Sequence, residues 1–218
     1  MISRVLTEDL VKGSKCKMIK RLLTSFFLSA IILLIIFSYN IWIFSISILS
    51  ICLLSFYEWI KNDFKNNYFG FLLIFNFGFW SIFYAVIDNS AFVFYALIIL
   101  NTAFFDSFAY LVGSNFGKTY IAKGISPNKT LEGFIGGLIA SVLLGCFAGY
   151  IIDMYILIII FVIGSIFAFI GDLLISYFKR QSGVKDTGTI LPGHGGVLDR
   201  VDSHLLATPI LILIIIML

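Results

Sequence analysis

Charge is scarce in this chain. Only 12% of its 218 residues are Asp, Glu, Lys or Arg, against roughly 25% in a soluble domain. Hydrophobic residues make up 60%, and the mean hydropathy is +1.05. So few charges cannot cover that much apolar surface in water, and a soluble form would expose large apolar patches and aggregate. The low hydrophobicity and high net charge that mark disorder are also missing, the net charge being only +3. Paired cysteines are absent. Cys16, Cys52 and Cys146 lie far apart without a CxxC pair, which argues against a disulfide framework and leaves them as small packing residues or unpaired thiols. Together these absences place the chain in a bilayer.

A spanning helix needs about 20 mostly apolar residues. Seven segments are candidates, at about 22–38, 41–57, 69–87, 90–112, 133–152, 154–175 and 204–218, the last being short for a crossing. The first pair and the fifth and sixth are joined by very short turns. That predicts helical hairpins, because unpaired backbone cannot face lipid. Residues 1–38 start basic and turn apolar as a signal peptide does. The apolar run is long, however, and no A-x-A-like site follows it in Phe37-Ser38-Tyr39-Asn40, so an uncleaved first span is expected.

One side of the membrane has no basic residues at all. Of the 15 Lys and Arg, six precede the first span, and the others fall between spans two and three, four and five, and six and seven. With seven spans all four regions lie on one side, which the positive-inside rule makes cytoplasmic. The expectation is an all-α polytopic membrane protein of about seven transmembrane helices with a cytoplasmic N-terminus. A basic cytoplasmic segment at 1–21 would precede scaffold helices at 22–100. A catalytic membrane domain at 101–218 would follow, with cytoplasmic loops at 113–132 and 176–203. No chemistry is evident in spans one to three, and Trp42, Trp59 and Trp80, near predicted span ends, are expected to anchor at the interface.

Polar groups enter the second half. Asp106 lies inside span four, where a carboxylate costs a few kcal/mol. It shares a helix face with Thr102 and Tyr110 at i, i+4 spacing, which fits a polar site better than an interhelical hydrogen bond. In the following loop Ser126-Pro127 resembles an N-cap with proline at the first helical position. A helix starting there, with Lys129 and Thr130 close by, could receive an anion. Span five repeats Gly133, Gly137, Ser141, Gly145 and Gly149, a small-residue stripe for close packing within the fold or for a dimer contact.

Residues 171–203 concentrate four acids, four bases and six glycines within 33 positions. Asp172, Ser176, Lys179 and Arg180 would form one stripe if span six continues as a helix into the cytoplasm. Lys185-Asp186 and the glycine-rich run Gly193-His194-Gly195-Gly196 follow, then Asp199-Arg200 and Asp202. Asp199 and Asp202 are i, i+3 neighbours, so a helix would aim both at one point. Clustered carboxylates repel, and a hard divalent cation such as Mg²⁺ relieves this while leaving positions for phosphate oxygens. Lys179, Arg180, Lys185 and Arg200 would bind further phosphate charge, and a glycine-rich loop would let backbone N–H groups approach a phosphate chain. This is equipment for phosphoryl or nucleotidyl transfer between a soluble nucleotide and a lipid head group. His194 could bond within its loop or contact phosphate.

The run Ser176-x-x-Lys179-Arg180, Lys185-Asp186, Pro192-Gly193-His194-Gly195-Gly196 and Asp199-Arg200-x-Asp202 resembles the signature of phosphatidate cytidylyltransferases, the CDP-diacylglycerol synthases. Asp106 with Ala109-Tyr110, Phe116-Gly117-Lys118, Ser126-Pro127-Asn128-Lys129-Thr130 and Glu132-Gly133 resemble that family's upstream block, so the likeness covers about residues 101–209. It implies formation of CDP-diacylglycerol and pyrophosphate from CTP and phosphatidic acid in phospholipid biosynthesis. It also implies Mg²⁺, with room for a monovalent cation such as K⁺, a homodimer in the bilayer of a bacterial inner membrane, a cytoplasmic active site, and no nucleic-acid partner. Carried over by position, the metal acids are Asp172, Asp199 and Asp202. The catalytic set is Lys179, Arg180, Lys185, Asp186 and Arg200. Substrate contacts fall on Asp106, Lys118, Ser126, Asn128, Lys129, Thr130, Ser176, His194, Gly195 and Gly196. The chain departs from the family at Ile175, where members often carry Glu. A CTP-dependent lipid kinase is the nearest rival. An ion-coupled transporter would instead need acids near the midplane of several spans.

Overall fold

The computed structural model describes residues 26–88, 90–190 and 195–218. The basic segment 1–21, the start of the first span and His194 lie outside the described residues. A short apolar helix, α1 (Phe26–Phe37), leads into α2 (Ile41–Lys61), α3 (Asn67–Ile87) and α4 (Ala91–Phe116). A two-stranded antiparallel hairpin follows, β1 (Tyr120–Ala122) and β2 (Ser126–Thr130). Then come α5 (Leu131–Ile152), α6 (Leu157–Gln181), the single turn α7 (Leu198–Val201) and α8 (His204–Met217).

Five of these, α2 to α6, are long and apolar enough to cross a membrane. Their outer faces carry the apolar surface that the composition demanded. On α3, Phe71, Phe75, Phe79 and Phe83 stack along one exposed edge with centroids 5.8, 6.0 and 5.7 Å apart. At about 1.5 Å per residue, the 14 residues of α8 reach about 21 Å, short of a 30 Å hydrocarbon core. Helix α6 runs on past the expected span end at 175 to Gln181, as the polar stripe requires.

The small residues of α5 set how closely the second half packs. A Cβ at Gly133 would lie 2.6 Å from the Ala109 carbonyl of α4, one at Gly137 2.6 Å from the Phe105 ring, and one at Gly145 2.7 Å from Ile158 Cα of α6. Ser141 bonds Ser165 of α6 at 2.6 Å, and Asn101 of α4 donates to Ser165 at 3.2 Å and to the Phe161 carbonyl at 3.1 Å. The stripe is used up inside the fold, so it supplies no dimer contact.

Three other expectations need correction. The chain is not purely α-helical, because residues 120–130 form the hairpin. Ser126-Pro127 does not start a helix; both lie in β2. The α5 N-cap is Thr130, whose Oγ1 accepts from Gly133 N–H at 3.2 Å. The Glu132 carboxylate meanwhile accepts from Lys118 and Thr119 N–H, so acceptors from the chain itself crowd this helix start and leave the anion site without support. Trp59 is not an interfacial anchor. It is fully buried, with Phe64 and Phe178 at 5.1 and 5.0 Å between centroids, and it pins the end of α2 to the end of α6. Trp42 does lie exposed, as expected.

Candidate functional site

The extension of α6 beyond the bundle carries Ser176, Lys179 and Arg180, and the turn α7 returns the chain beside it. Gly171 makes the return possible: a Cβ there would come within 2.7 Å of the Asp202 carbonyl, so only a bare α-carbon lets the 202–203 backbone lie on α6. Lys179 is buried, with Nζ 2.9 Å from Asp199 Oδ1 and 4.0 Å from Asp202 Oδ2. The i, i+3 pair therefore does aim at one point, and that point is an ammonium. The other oxygen of Asp199, Oδ2, accepts from Thr187 N–H at 2.8 Å, Gly196 N–H at 2.9 Å and Thr187 Oγ1 at 3.1 Å. Burial works against charge on Asp199, but these N–H donors and Lys179 more than offset it and hold its carboxyl below the ordinary range. Asp202 behaves oppositely. Burial and then the Asp172 carboxylate push it up to about 7, against the pull of Lys179 and the bond it accepts from Ser203 N–H.

A second polar cluster lines a cavity of about 240 Å³ among α4, α5, α6 and β2. Asp106 and Tyr110 reach it from α4, Asn128, Lys129 and Thr130 from β2, and Asp172 from α6. Thr102 does not join them; it is buried and bonded back to Ile98 of its own helix. Lys129 Nζ lies 2.6 Å from Asp172 Oδ2 and 4.4 Å from the Phe169 ring centroid, a cation–π contact. Ser176 donates to Asp172 Oδ1 at 3.2 Å. Asp106, Asp172 and Asp202 are within Coulombic reach of one another, and Lys129, Lys179 and Arg200 partly offset their repulsion.

The three acids expected to share a cation do not converge on one. Both oxygens of Asp199 are bonded within the chain, Asp172 holds Lys129, and among the described residues no three His, Cys, Asp or Glu side chains form a group able to hold a metal ion. Asp172, Asp199 and Asp202 as arranged do not fit a ready-made Mg²⁺ cage.

The remaining candidates scatter. Arg180 donates Nε to the Ile125 carbonyl and Nη1 to the Val184 carbonyl, both at 3.1 Å, so it ties the hairpin to α6. Lys118, Lys185, Asp186 and Arg200 are exposed, and Ser126 lies in the hairpin opposite Ala122. Gly195 has φ +84°, and a Cβ on it would meet Asp199 Oδ2 at 2.7 Å. Gly196 is more crowded still, against Thr187 Oγ1 and Glu58 Oε2. Both glycines thus lie directly against buried carboxylates. Sequence reasoning missed two members of the site. Glu58 of α2 is 1% exposed and bonds the loop, and Thr187 is buried between Glu58 and Asp199. One signal was available: Glu58 is an acid close to the end of an apolar span.

The model of the cytidylyltransferase family matches residues 61–218. A phosphatidate cytidylyltransferase from Staphylococcus haemolyticus is 43% identical over 133 residues, 59% of this chain and 50% of that protein. Others from Staphylococcus saprophyticus and Staphylococcus aureus are 48% identical over 115 residues, 51% of this chain and 44% of each. The chain spans about half the length of the curated relatives it matches.

Proposed function

Since the chain belongs to the cytidylyltransferase family, we propose that it carries the reaction named for its relatives, joining CTP and phosphatidic acid into CDP-diacylglycerol with release of pyrophosphate. An anionic phosphatidate oxygen forms the new bond to the α-phosphorus of CTP, and the bond from that phosphorus to the bridging oxygen of pyrophosphate breaks. The nucleophile is already ionised near neutral pH, so no strong base is needed, and positioning with charge neutralisation carries the rate.

The observation that supports this reading most is that the ordered signature residues fold to one end of the bundle as two adjoining lysine–aspartate clusters, one of them lining a cavity between apolar helices. Lys129, partly exposed to that cavity, can exchange Asp172 for a lipid phosphate. Lys185 and Arg200 on the exposed loop side would meet the triphosphate. Asp199 and Lys179 brace the loop between them. In the bilayer, α1 and α8 would join the five long helices for about seven spans, with the N-terminus and this end of the bundle in the cytoplasm of a bacterial cell. A homodimer remains part of the reading through the family resemblance.

The test is incubation of membranes containing the full chain with phosphatidic acid and CTP labelled either in cytidine or at the γ-phosphate, with and without EDTA. Cytidine label entering lipid is expected, and γ-label entering lipid instead would identify a lipid kinase and overturn the proposal. The EDTA arm reads the divalent-cation requirement that the resemblance implies.

A further inference from the structure

The match to the family begins at residue 61, so most of α2 lies outside it. Glu58 nevertheless reaches from α2 into the signature loop. Its Oε2 accepts from Thr187 Oγ1 at 2.8 Å and from Leu198 N–H at 2.9 Å, and its Oε1 accepts from Val197 N–H at 2.9 Å. One turn later Asn62 donates Nδ2 to the Thr187 carbonyl at 2.6 Å. Thr187 on one side of the loop and Val197 and Leu198 on the other are thereby tied to Glu58 and Asn62 at the end of α2. Two glycines lie close against this carboxylate. A Cβ at Gly188 would come within 2.7 Å of Glu58 Oε1, and one at Gly196 would overlap Glu58 Oε2.

We propose that Glu58 is a positioning residue for the transfer reaction, holding the neck of the signature loop so that Asp199 and Lys179 stay paired. This rests on the functional reading above. The chain of contacts is short. Thr187 has one hydroxyl proton and two carboxylates in reach, Glu58 at 2.8 Å and Asp199 at 3.1 Å. By taking that proton, Glu58 fixes Thr187 with its backbone N–H toward Asp199 Oδ2. By anchoring Val197 and Leu198, it fixes the Gly196 N–H on the same oxygen. Asp199 Oδ1 is then left for Lys179.

Substitutions separate this role from general support of the fold. Ala removes all three acceptor contacts. Gln keeps the length and one acceptor, but turns an NH₂ toward a backbone N–H that needs an oxygen. In the full chain in detergent, Glu58→Ala should lower turnover per folded molecule about 100-fold, the usual cost of misplacing a site by about 1 Å. It should also speed hydrogen exchange at residues 187 and 196–199 at least about tenfold while exchange in α4 to α6 stays unchanged. Glu58→Gln should recover about a tenth to a third of the lost rate. Turnover of Glu58→Ala within about twofold of wild type, or exchange that quickens as much in α4 to α6 as in the loop, would overturn the proposal. If the wild-type chain itself transfers no cytidine, the functional reading has failed. Exchange in the loop then still decides whether Glu58 holds it, and unchanged exchange overturns that too.

Discussion

The Lys179–Asp199 and Lys129–Asp172 pairs lie at the same end of the bundle but differ in how easily the lysine can leave its partner. Around Asp199 both carboxylate oxygens are matched by chain donors, and the side chains are 9% and 4% exposed. Around Asp172 the side chains are 18% and 29% exposed and border a cavity. A buried pair closed off from any cavity is a brace, because separating it strands a charge in low dielectric. A pair beside a cavity can trade its anion for a ligand's at little desolvation cost. Similar residue types thus have different roles according to what surrounds them.

The largest effect should come from breaking the closed pair. Asp199→Ala leaves Lys179 buried without its main partner and two backbone N–H groups without acceptors, a loss of about 3–5 kcal/mol locally. Turnover should fall by about a thousandfold or more, while the long helices still insert, as read by initial rates and by recovery in the membrane fraction. The open pair should respond differently. Lys129→Met should reduce kcat/KM for phosphatidate at least about thirtyfold, on the order of 2 kcal/mol, with hydrogen exchange in the loop unchanged. If Lys129→Met loosens residues 187–199 as Asp199→Ala does, the two clusters are one unit and the distinction fails.

Asp202 lies 4.0 Å from Lys179 and feels the charge of Asp172, and its protonation sharpens the comparison. Its carboxyl is raised from 3.8 to about 7 by burial and by Asp172 and Asp106, with Lys179 opposing. The folded chain therefore binds this proton more tightly than the unfolded chain. Its contribution to stability is full at acid pH, declines as pH rises from about 4 towards 7, and levels off above that. Thermal melts in detergent between pH 5 and pH 8 should show stability falling with pH, and Asp202→Asn should flatten the slope. An unchanged slope in that variant would place the titration elsewhere.

Much of this was legible because the bilayer leaves few options. Low charge, the long apolar runs and the glycine stripe all point to the bundle, and the spacing of Asp172, Ser176 and Lys179 anticipated the extension of α6. What could not be read were partners distant in sequence. Nothing local in Glu58 announces that it will accept from Val197 and Leu198, 139 and 140 positions later. The surroundings of the glycines were hidden for the same reason. Gly195 and Gly196 look alike whether they approach a phosphate or a buried carboxylate, and only the fold shows Asp199 and Glu58 against them. The lysine partners of Asp172, Asp199 and Asp202 were hidden for the same reason, since sequence places acids near one another without revealing that Lys129 and Lys179 lie against them.

Arg180 should give the smallest effect and tests the same distinction from outside. By residue type it belongs with the phosphate-binding cations, yet its guanidinium spans the Ile125 and Val184 carbonyls, both at 3.1 Å. It is also exposed, so water competes for both bonds and their net worth is below about 1 kcal/mol. Arg180→Lys keeps the charge but cannot reach two carbonyls at once. It should quicken exchange in the hairpin around residue 125 and lower turnover by less than about threefold, with KM for CTP unchanged. A loss above about a hundredfold from this charge-conserving change would show that the fork itself meets substrate. Arg180 would then have to leave both carbonyls during the reaction, and the hairpin would move with it.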